Sequence, residues 1–332
     1  MPRIPLVSIL MPARDAAPWI TGAIDSLLTQ TLADWELVLV DDGSTDGTAD
    51  IASRFADERL TLLRNAVARG PARALDQALA VARGRFLARL DADDIALPER
   101  LARQVAFLER QPETGVCGSD MTVFSDGDAS AVHWRYPTCP DDLHCALLAT
   151  NPLSHPTVMI VRDRVPAQEL RYDQAFTCTE DFDLWARLAG ATRFANIPEP
   201  LVRHRRHATN VSRTRFATLL AESDAIRARL VRALVPDASA DDLALHNRLL
   251  PLMRRGADPA AGRDGTEIGA LLDWIARCEV ELRGPLPEDA PRLAARWFTR
   301  LRDANRRAGI YPPAALDRLL EAELGRFSPS GA

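Results

Sequence analysis

Two aspartate clusters constrain this chain more than any other feature: Asp41-Asp42-Gly43-Ser44-Thr45-Asp46 and Leu90-Asp91-Ala92-Asp93-Asp94. Each stands directly behind a short apolar run, residues 35–40 and 85–90. Apolar runs of this length, closed by turn-forming residues, read as buried parallel strands. The carboxyl ends of such strands are where open α/β sheets bind ligands. Carboxylates crowded there repel one another unless a cation or hydrogen-bond donors compensate. A divalent ion carrying a diphosphate supplies that compensation, because Mg²⁺ prefers one or two carboxylates plus phosphate oxygens. The chain therefore reads as an α/β sheet whose strand ends are built for a nucleoside diphosphate and a metal.

The surrounding sequence supports the sheet. Residues 6–11 are apolar and are broken by Pro12-Ala13-Arg14-Asp15; Ile20, Ile24, Leu27 and Leu28 then recur at helical spacing. Behind the first acidic cluster, Ser44, Thr45 and Asp46 suit the cap of a helix running through Phe55. A strand at 60–63 precedes a helix opened by Pro71, with Leu75, Leu79 and Val81 on its apolar face. The strand that delivers Asp91 and Asp93 follows, then a helix started by Pro98 and a strand at 115–119. This succession predicts a parallel sheet with right-handed crossovers. From about 120 to 210 the pattern loosens, with a hairpin of 122–124 and 132–134, a strand at 157–161, a helix at 182–188 and an extended segment at 201–204. Beyond Phe216 helical periodicity dominates, over 216–235, 239–254, 265–283, 289–308 and 313–325. A boundary near 215 is expected, separating residues 1–215 from a helical C-terminal domain, 216–332.

Composition narrows the classes. A net charge of −5 gives no reason to expect nucleic-acid binding. The chain has no lysine, so all 41 basic residues are arginine, and any phosphate contact must come from arginine, histidine or backbone N–H. Cysteines 117, 139, 145, 178 and 278 form no CxxC pair and are expected to be reduced thiols in a cytoplasmic protein. No stretch approaches the ~18 consecutive apolar residues of a membrane span, and the N-terminus lacks a signal peptide's long apolar segment.

Taken together, these residues resemble the family 2 glycosyltransferases, inverting enzymes with the GT-A fold. The matching text is residues 7–12, then Val40-Asp41-Asp42-Gly43-Ser44-Thr45-Asp46-Gly47-Thr48, Arg64-Asn65, Ala72-Arg73 and Leu90-Asp91-Ala92-Asp93-Asp94. It continues with Thr179-Glu180-Asp181-Phe182-Asp183-Leu184-Trp185 and Arg205-Arg206-His207. The resemblance implies an α/β GT-A architecture, a mostly parallel sheet flanked by helices, with an all-helical C-terminal extension behind it. It also implies roles. Pro12, Ala13, Arg14 and Asp15 would line the base, and Asp42 would accept from the N3–H of uracil or thymine. Arg73 would lie over the nucleotide, Asp91 and Ala92 at the ribose, and Asp93 on the Mg²⁺ or Mn²⁺ that bridges the phosphates. His207 would stand near the diphosphate or metal. Asp181 would be the general base for the attacking hydroxyl, with Glu180, His155 and Trp185 on the acceptor side.

Some alternatives stay open. Glu180 or Asp183 could be the base instead, Trp185 could be core, and His155 could be a satisfied structural histidine. His204 with Arg203, Arg205 and Arg206 reads either as an anion patch or as an exposed basic strand. The family's Ala-Arg-Asn is Ala72-Arg73-Ala74 here, and a glycine near Asn65 is replaced by Val67. The Gln-x-x-Arg-Trp motif of processive synthases is missing after Glu180, which points to one sugar per visit. The expected activity is inverting, non-processive transfer from a UDP- or dTDP-sugar to a glycan or lipid-linked acceptor in cell-surface polysaccharide assembly. The rivals are a sugar-nucleotide nucleotidyltransferase and an inactive sugar- or nucleotide-binding module of a glycan-assembly complex. In the tail, Arg227, Arg229 and Arg232 could meet acidic lipid headgroups on the inner face of the cytoplasmic membrane, or form a homo-oligomer contact; a solvated face is the plainer reading.

Overall fold

The computed structural model describes residues 4–127, 130–248 and Trp274. Strand and helix alternate at first: β1 (Val7–Ala13), α1 (Ile20–Leu28), β2 (Trp35–Asp41), α2 (Thr48–Ala52), β3 (Leu60–Arg64), α3 (Pro71–Val81) and β4 (Phe86–Arg89). Then come β5 (Ile95–Ala96), α4 (Arg100–Arg110), β6 (Thr114–Phe124), β7 (Val132–Trp134), α5 (Pro140–Ala146) and β8 (Met159–Val161). The described chain closes with α6 (Glu180–Leu188), β9 (Arg193–Arg205), α7 (Val211–Thr214), α8 (Phe216–Leu234) and α9 (Ala240–Arg248). The helices expected at 265–283, 289–308 and 313–325 lie outside the described residues.

The strand order is β3-β2-β1-β4-β8-β6-β9-β5, with β7 attached to β6. β1 to β4 are parallel throughout, because each is reached by a crossover through a helix. Beyond β4 the sheet is mixed. β8 runs antiparallel to β4 and β6, β7 to β6 and β5 to β9, while β6 and β9 are parallel. The chain advances β1, β2, β3 in one direction and then returns to place β4 on the other side of β1. That reversal opens a crevice at the carboxyl ends of β1 and β4, the place where doubly wound sheets bind ligands.

The core beneath this edge is apolar on both sides. Ile9, Met11, Leu37, Leu39 and Phe86 pack with Ile20, Ile24 and Leu27 of α1 and Leu101 and Leu108 of α4. Each such side chain contributes about 1.5–3 kcal/mol by burial. On α3 the buried positions are Ala72, Ala74, Leu75 and Ala78; of the expected apolar face Leu75 is buried, Leu79 is half-buried and Val81 is 44% exposed, so three alanines join Leu75 on the buried face. β9 starts at Arg193, earlier than the extended segment read from sequence, and irregularities in its register against β6 fall beside Ser119, Asp120 and Met121.

The chain divides into two compact units, Met1–Leu143 with Asn151–Ser223 and His144–Thr150 with Asp224–Ala332. The site described below lies wholly in the first. Within the second, Leu148 packs with Leu230 and Leu234, and His246 Nε2 donates to Leu148 O at 2.5 Å. Arg227 is 4% exposed and bound to Asp224 and Asn247, which removes it from the headgroup-facing set read from sequence. No described helix is long and apolar enough to cross a membrane.

Candidate active site

Two loops meet at the ends of β1 and β2. Asp15 adopts a left-handed conformation, φ 47°, which a short polar side chain tolerates better than most. It is held there from the neighbouring loop: its N–H donates to Ser44 Oγ (2.9 Å), and its Oδ1 accepts from Thr45 N (2.9 Å). Ala16 N donates to Thr48 Oγ1 and Ala17 N to Asp46 Oδ2. The hydroxyls expected to cap α2 thus join the two loops, while the Asp46 carboxylate serves both ends, its Oδ1 accepting from Thr48 N (3.0 Å) at the start of α2. The cap position of α2, Gly47, is left-handed and has no side chain, and the helix ends at Ala52, short of the expected Phe55. Gly43 permits this turn, having φ +69° and a Cβ position only 2.6 Å from Ala68 N.

Asp41 and Asp42 differ in surroundings. Asp42 accepts from Asn65 Nδ2 (2.9 Å), Arg69 N (2.9 and 3.0 Å) and Gly70 N (2.7 Å), so it fastens the loop that leads into α3. Asp41 is 4% exposed, its Oδ1 has no hydrogen-bond partner, and it lines a cavity of about 480 Å³ with Ser44, Thr45, Arg64 and Asn65. Arg14 and Arg73 are exposed, Pro12 is half-buried and Ala13 is buried.

The second acidic cluster sits at the crevice. Asp93 Oδ2 lies 2.7 Å from His207 Nε2, and the imidazole stacks on Trp19 with centroids 4.0 Å apart. Asp91, Asp94 and His204 bring ligand atoms within 4.8 Å of one another, a cluster that can hold a metal. Asp94 is fully buried; His204 Nδ1 stands 3.0 Å from its Oδ2, and Arg205 N donates to its Oδ1 at 2.8 Å. Burial, reinforced by the charges of Asp91 and Asp93, lifts Asp94 to about 6. Burial also raises Asp93, with Asp91 adding to it. Burial alone would lower His204, but its bond to Asp94 and the surrounding carboxylates raise it to about 9. His204 is therefore turned inward, and Arg205 is tied to Asp93 O and Asp126. Arg203 and Arg206 lie over the rings of Phe124 and Trp134. The four-residue basic strand is thus divided between the acidic loop and aromatic faces.

Arg89, the last residue of β4, was not singled out from sequence. It is 8% exposed, pairs with Asp91 and acts electrostatically on Glu180 and Asp181, so one buried cation serves both carboxylate groups. At the start of α6, Asp181 accepts from Asn151 Nδ2 (2.7 Å) and Phe182 N (2.7 Å). Burial raises both neighbours: Asp181 is pushed up against the pull of those donors, and Glu180, with the charge of Asp181 added, reaches about 8. Asp183 is fully buried and bonded to Arg187 Nε at 2.9 Å, a structural ion pair. Trp185 and His155 take up the structural alternatives that the sequence left open for them. Trp185 is fully buried against Phe194 and His155. His155 is 7% exposed, with its Nε2 3.1 Å from the Tyr172 hydroxyl; burial and then the charge of Arg89 lower its pKa, so it packs as a neutral core group.

With this geometry in view, likeness to known proteins can be read. The family model "Glycosyl transferase family 2" matches residues 8–168. The putative glycosyltransferase EpsE of Bacillus subtilis is 32% identical over 218 residues, covering 64% of this chain and 77% of that protein. From Escherichia coli, the UDP-Glc:alpha-D-GlcNAc-diphosphoundecaprenol beta-1,3-glucosyltransferase WfaP is 27% identical over 231 residues, 69% of this chain and 88% of its own length. The crystal structure of S. aureus TarS 1-349 in complex with UDP superposes with a TM-score of 0.57 at 20% identity, covering 92% of each chain, a likeness of fold. Acid-bearing strand ends, a mixed sheet of this topology and these matches agree: the chain is a GT-A-fold protein that belongs to glycosyltransferase family 2.

Proposed function

We propose that this glycosyltransferase moves one sugar per visit, with inversion, from a UDP- or dTDP-sugar to a hydroxyl of a lipid-linked glycan during cell-surface polysaccharide assembly. The carrying observation is the pair of carboxylate groups on either side of Arg89: Asp91, Asp93 and Asp94 at the crevice, and Glu180 with Asp181 at the head of α6. The names of WfaP and TarS support the donor class and the lipid-linked acceptor. A lipid-linked acceptor favours work at the inner face of the cytoplasmic membrane.

In this reading Pro12, Ala13, Arg14, Asp15 and Asp42 surround the base, Arg73 lies over the nucleotide, and Asp91 with Ala92 meets the ribose. The carboxylates fit a divalent cation, because Asp91, Asp94 and His204 bring ligand atoms within 4.8 Å of one another and positive charge would offset the burial and neighbouring charges that raise Asp94. Asp93 and His207, with Asp91, Asp94 and His204 beside them, are the residues that would hold it. When bound, Mg²⁺ or Mn²⁺ supplies positive charge beside the departing diphosphate. Asp181 takes the proton of the attacking acceptor hydroxyl. The new C–O bond forms at the anomeric carbon as the bond to the diphosphate oxygen breaks, its electrons leaving with the nucleoside diphosphate. Burial raises both Glu180 and Asp181, Glu180 to about 8 with the charge of Asp181 added, so the two carboxyls titrate as a pair.

The test is release of nucleoside diphosphate from a panel of UDP-, dTDP- and GDP-sugars with Mn²⁺, Mg²⁺ or EDTA, on wild type and Asp93→Ala. Metal-dependent release of UDP or dTDP, lost in Asp93→Ala, is expected. No release from any donor, together with no nucleotide binding by calorimetry, overturns the donor site.

A further inference from the structure

Glu222 lies in the first turns of α8, well past the matched family region, and is half-buried. Its carboxylate accepts four hydrogen bonds from the three residues that lead into α6. Oε1 takes Thr177 N (2.9 Å) and Thr177 Oγ1 (2.7 Å). Oε2 takes Cys178 N (2.9 Å) and Thr179 Oγ1 (3.0 Å). A carboxylate has about four such acceptor sites, so Glu222 is fully used by this turn. Arg215 adds a bond to the same Thr177 hydroxyl at 2.9 Å. Thr179 is the cap of α6, and its carbonyl accepts the first helical bond, from Asp183 N at 3.0 Å. Two residues further on stands Asp181.

We infer that Glu222 is a positioning residue that sets the orientation of Asp181 by clamping the turn Thr177-Cys178-Thr179 at the head of α6. The inference rests on the proposed role of Asp181 as base. Among the described hydrogen bonds Glu222 is the acceptor for Thr177 N, Cys178 N and the Thr179 hydroxyl, while the Thr177 hydroxyl also lies 3.8 Å from Cys178 Sγ; charge-assisted bonds of this kind are about twice as strong as neutral ones. Burial would raise the Glu222 carboxyl, but the donors of Thr177, Cys178 and Thr179 outweigh it and hold it below its ordinary value, so the clamp is ionised at neutral pH. The first turns of α8 therefore belong to the catalytic unit by function as well as by packing.

The test compares Glu222→Ala, Glu222→Gln and Glu222→Asp with Asp181→Asn in the full chain. Hydrogen exchange across residues 177–184 should accelerate at least about tenfold in Glu222→Ala, less in Glu222→Gln, with the rest of the first unit unchanged. With the donor identified by the panel above, kcat should fall about 10- to 100-fold, while KM for donor and UDP affinity stay within about twofold of wild type. Glu222→Asp should recover part of kcat. If Glu222→Ala misfolds, Glu222→Gln, which keeps one acceptor oxygen and the same shape, decides. Unchanged exchange, or fast exchange with wild-type kcat while Asp181→Asn is inactive, overturns the inference. Wild-type turnover by Asp181→Asn would instead overturn the base assignment, with the exchange result still deciding the clamp.

Discussion

Replacing His204 with glutamine should remove a pH-dependent part of the protein's stability. In the fold, His204 Nδ1 stands 3.0 Å from Asp94 Oδ2, and the imidazole side chain is 25% exposed. Its pKa is raised from 6.5 to about 9. A rise of that size corresponds to about 3 kcal/mol favouring the folded state when the ring is charged. Because the folded value is the higher one, this contribution is complete below pH 6.5 and disappears as pH climbs through about 9. Asp94 works in the opposite sense: held up to about 6, it costs roughly as much once ionised, so the intact pair nearly breaks even. Breaking it is costly because Asp94 keeps its burial and loses its partner. The assay is equilibrium urea unfolding in EDTA, wild type beside His204→Gln, from about pH 6 to pH 9.5. The variant should be less stable by about 3 kcal/mol at the acid end, with the gap closing toward the alkaline end. An equal gap across the range, or His204 titrating near 6.5 by NMR, would refute the reasoning.

Gly43→Ala must place a Cβ 2.6 Å from Ala68 N at φ +69°, so it should lose about 1–3 kcal/mol or more by thermal melting. UDP affinity should weaken with it, since the turn organises both loops. Glu36 is almost buried and bonded to Ser8 Oγ (2.6 Å) and Arg83 (2.5 Å), and these bonds outweigh burial to lower its pKa. Glu36→Gln should therefore cost about 1.5–3 kcal/mol at neutral pH. That deficit should vanish as pH falls through the lowered carboxyl value, as urea unfolding would show. Asp181→Asn should cut kcat for transfer about 10²- to 10⁴-fold while leaving UDP affinity intact by calorimetry.

The sheet and the acidic loops were legible because strands buried on both faces leave unbroken apolar runs, and the turn residues that end them are chemically conspicuous. Residues 35–41 illustrate this, being buried at every position. The hairpin read at 122–124 with 132–134 was legible from its turn and forms one residue earlier on its first strand, 121–123 pairing with 132–134. What periodicity could not carry was the choice among partners. Ser44 and Thr45 look like helix caps but bond across to the loop after β1, and Asp46 divides its two oxygens between that loop and Thr48 N of α2. Trp185 and His155 look like site residues beside Asp181, yet both are core. Arg89, Asp94, Asn151 and Glu222 act through contacts distant in sequence. Arg89 alone had a local signal, a charge inside an otherwise apolar strand directly before an acidic loop. β5, two residues long, leaves no apolar run to read, and nothing in the three residues of β8 tells which way it runs beside β4.

The most direct measurement is the anomeric configuration of the product, determined by NMR after transfer from an α-linked UDP-sugar to a lipid-diphosphate-linked sugar acceptor. A single displacement assisted by Asp181 gives a β-linkage, formed about 10²- to 10⁴-fold more slowly with Asp181→Asn. An α-linked product, or β-linked product at the wild-type rate from Asp181→Asn, would contradict the mechanism.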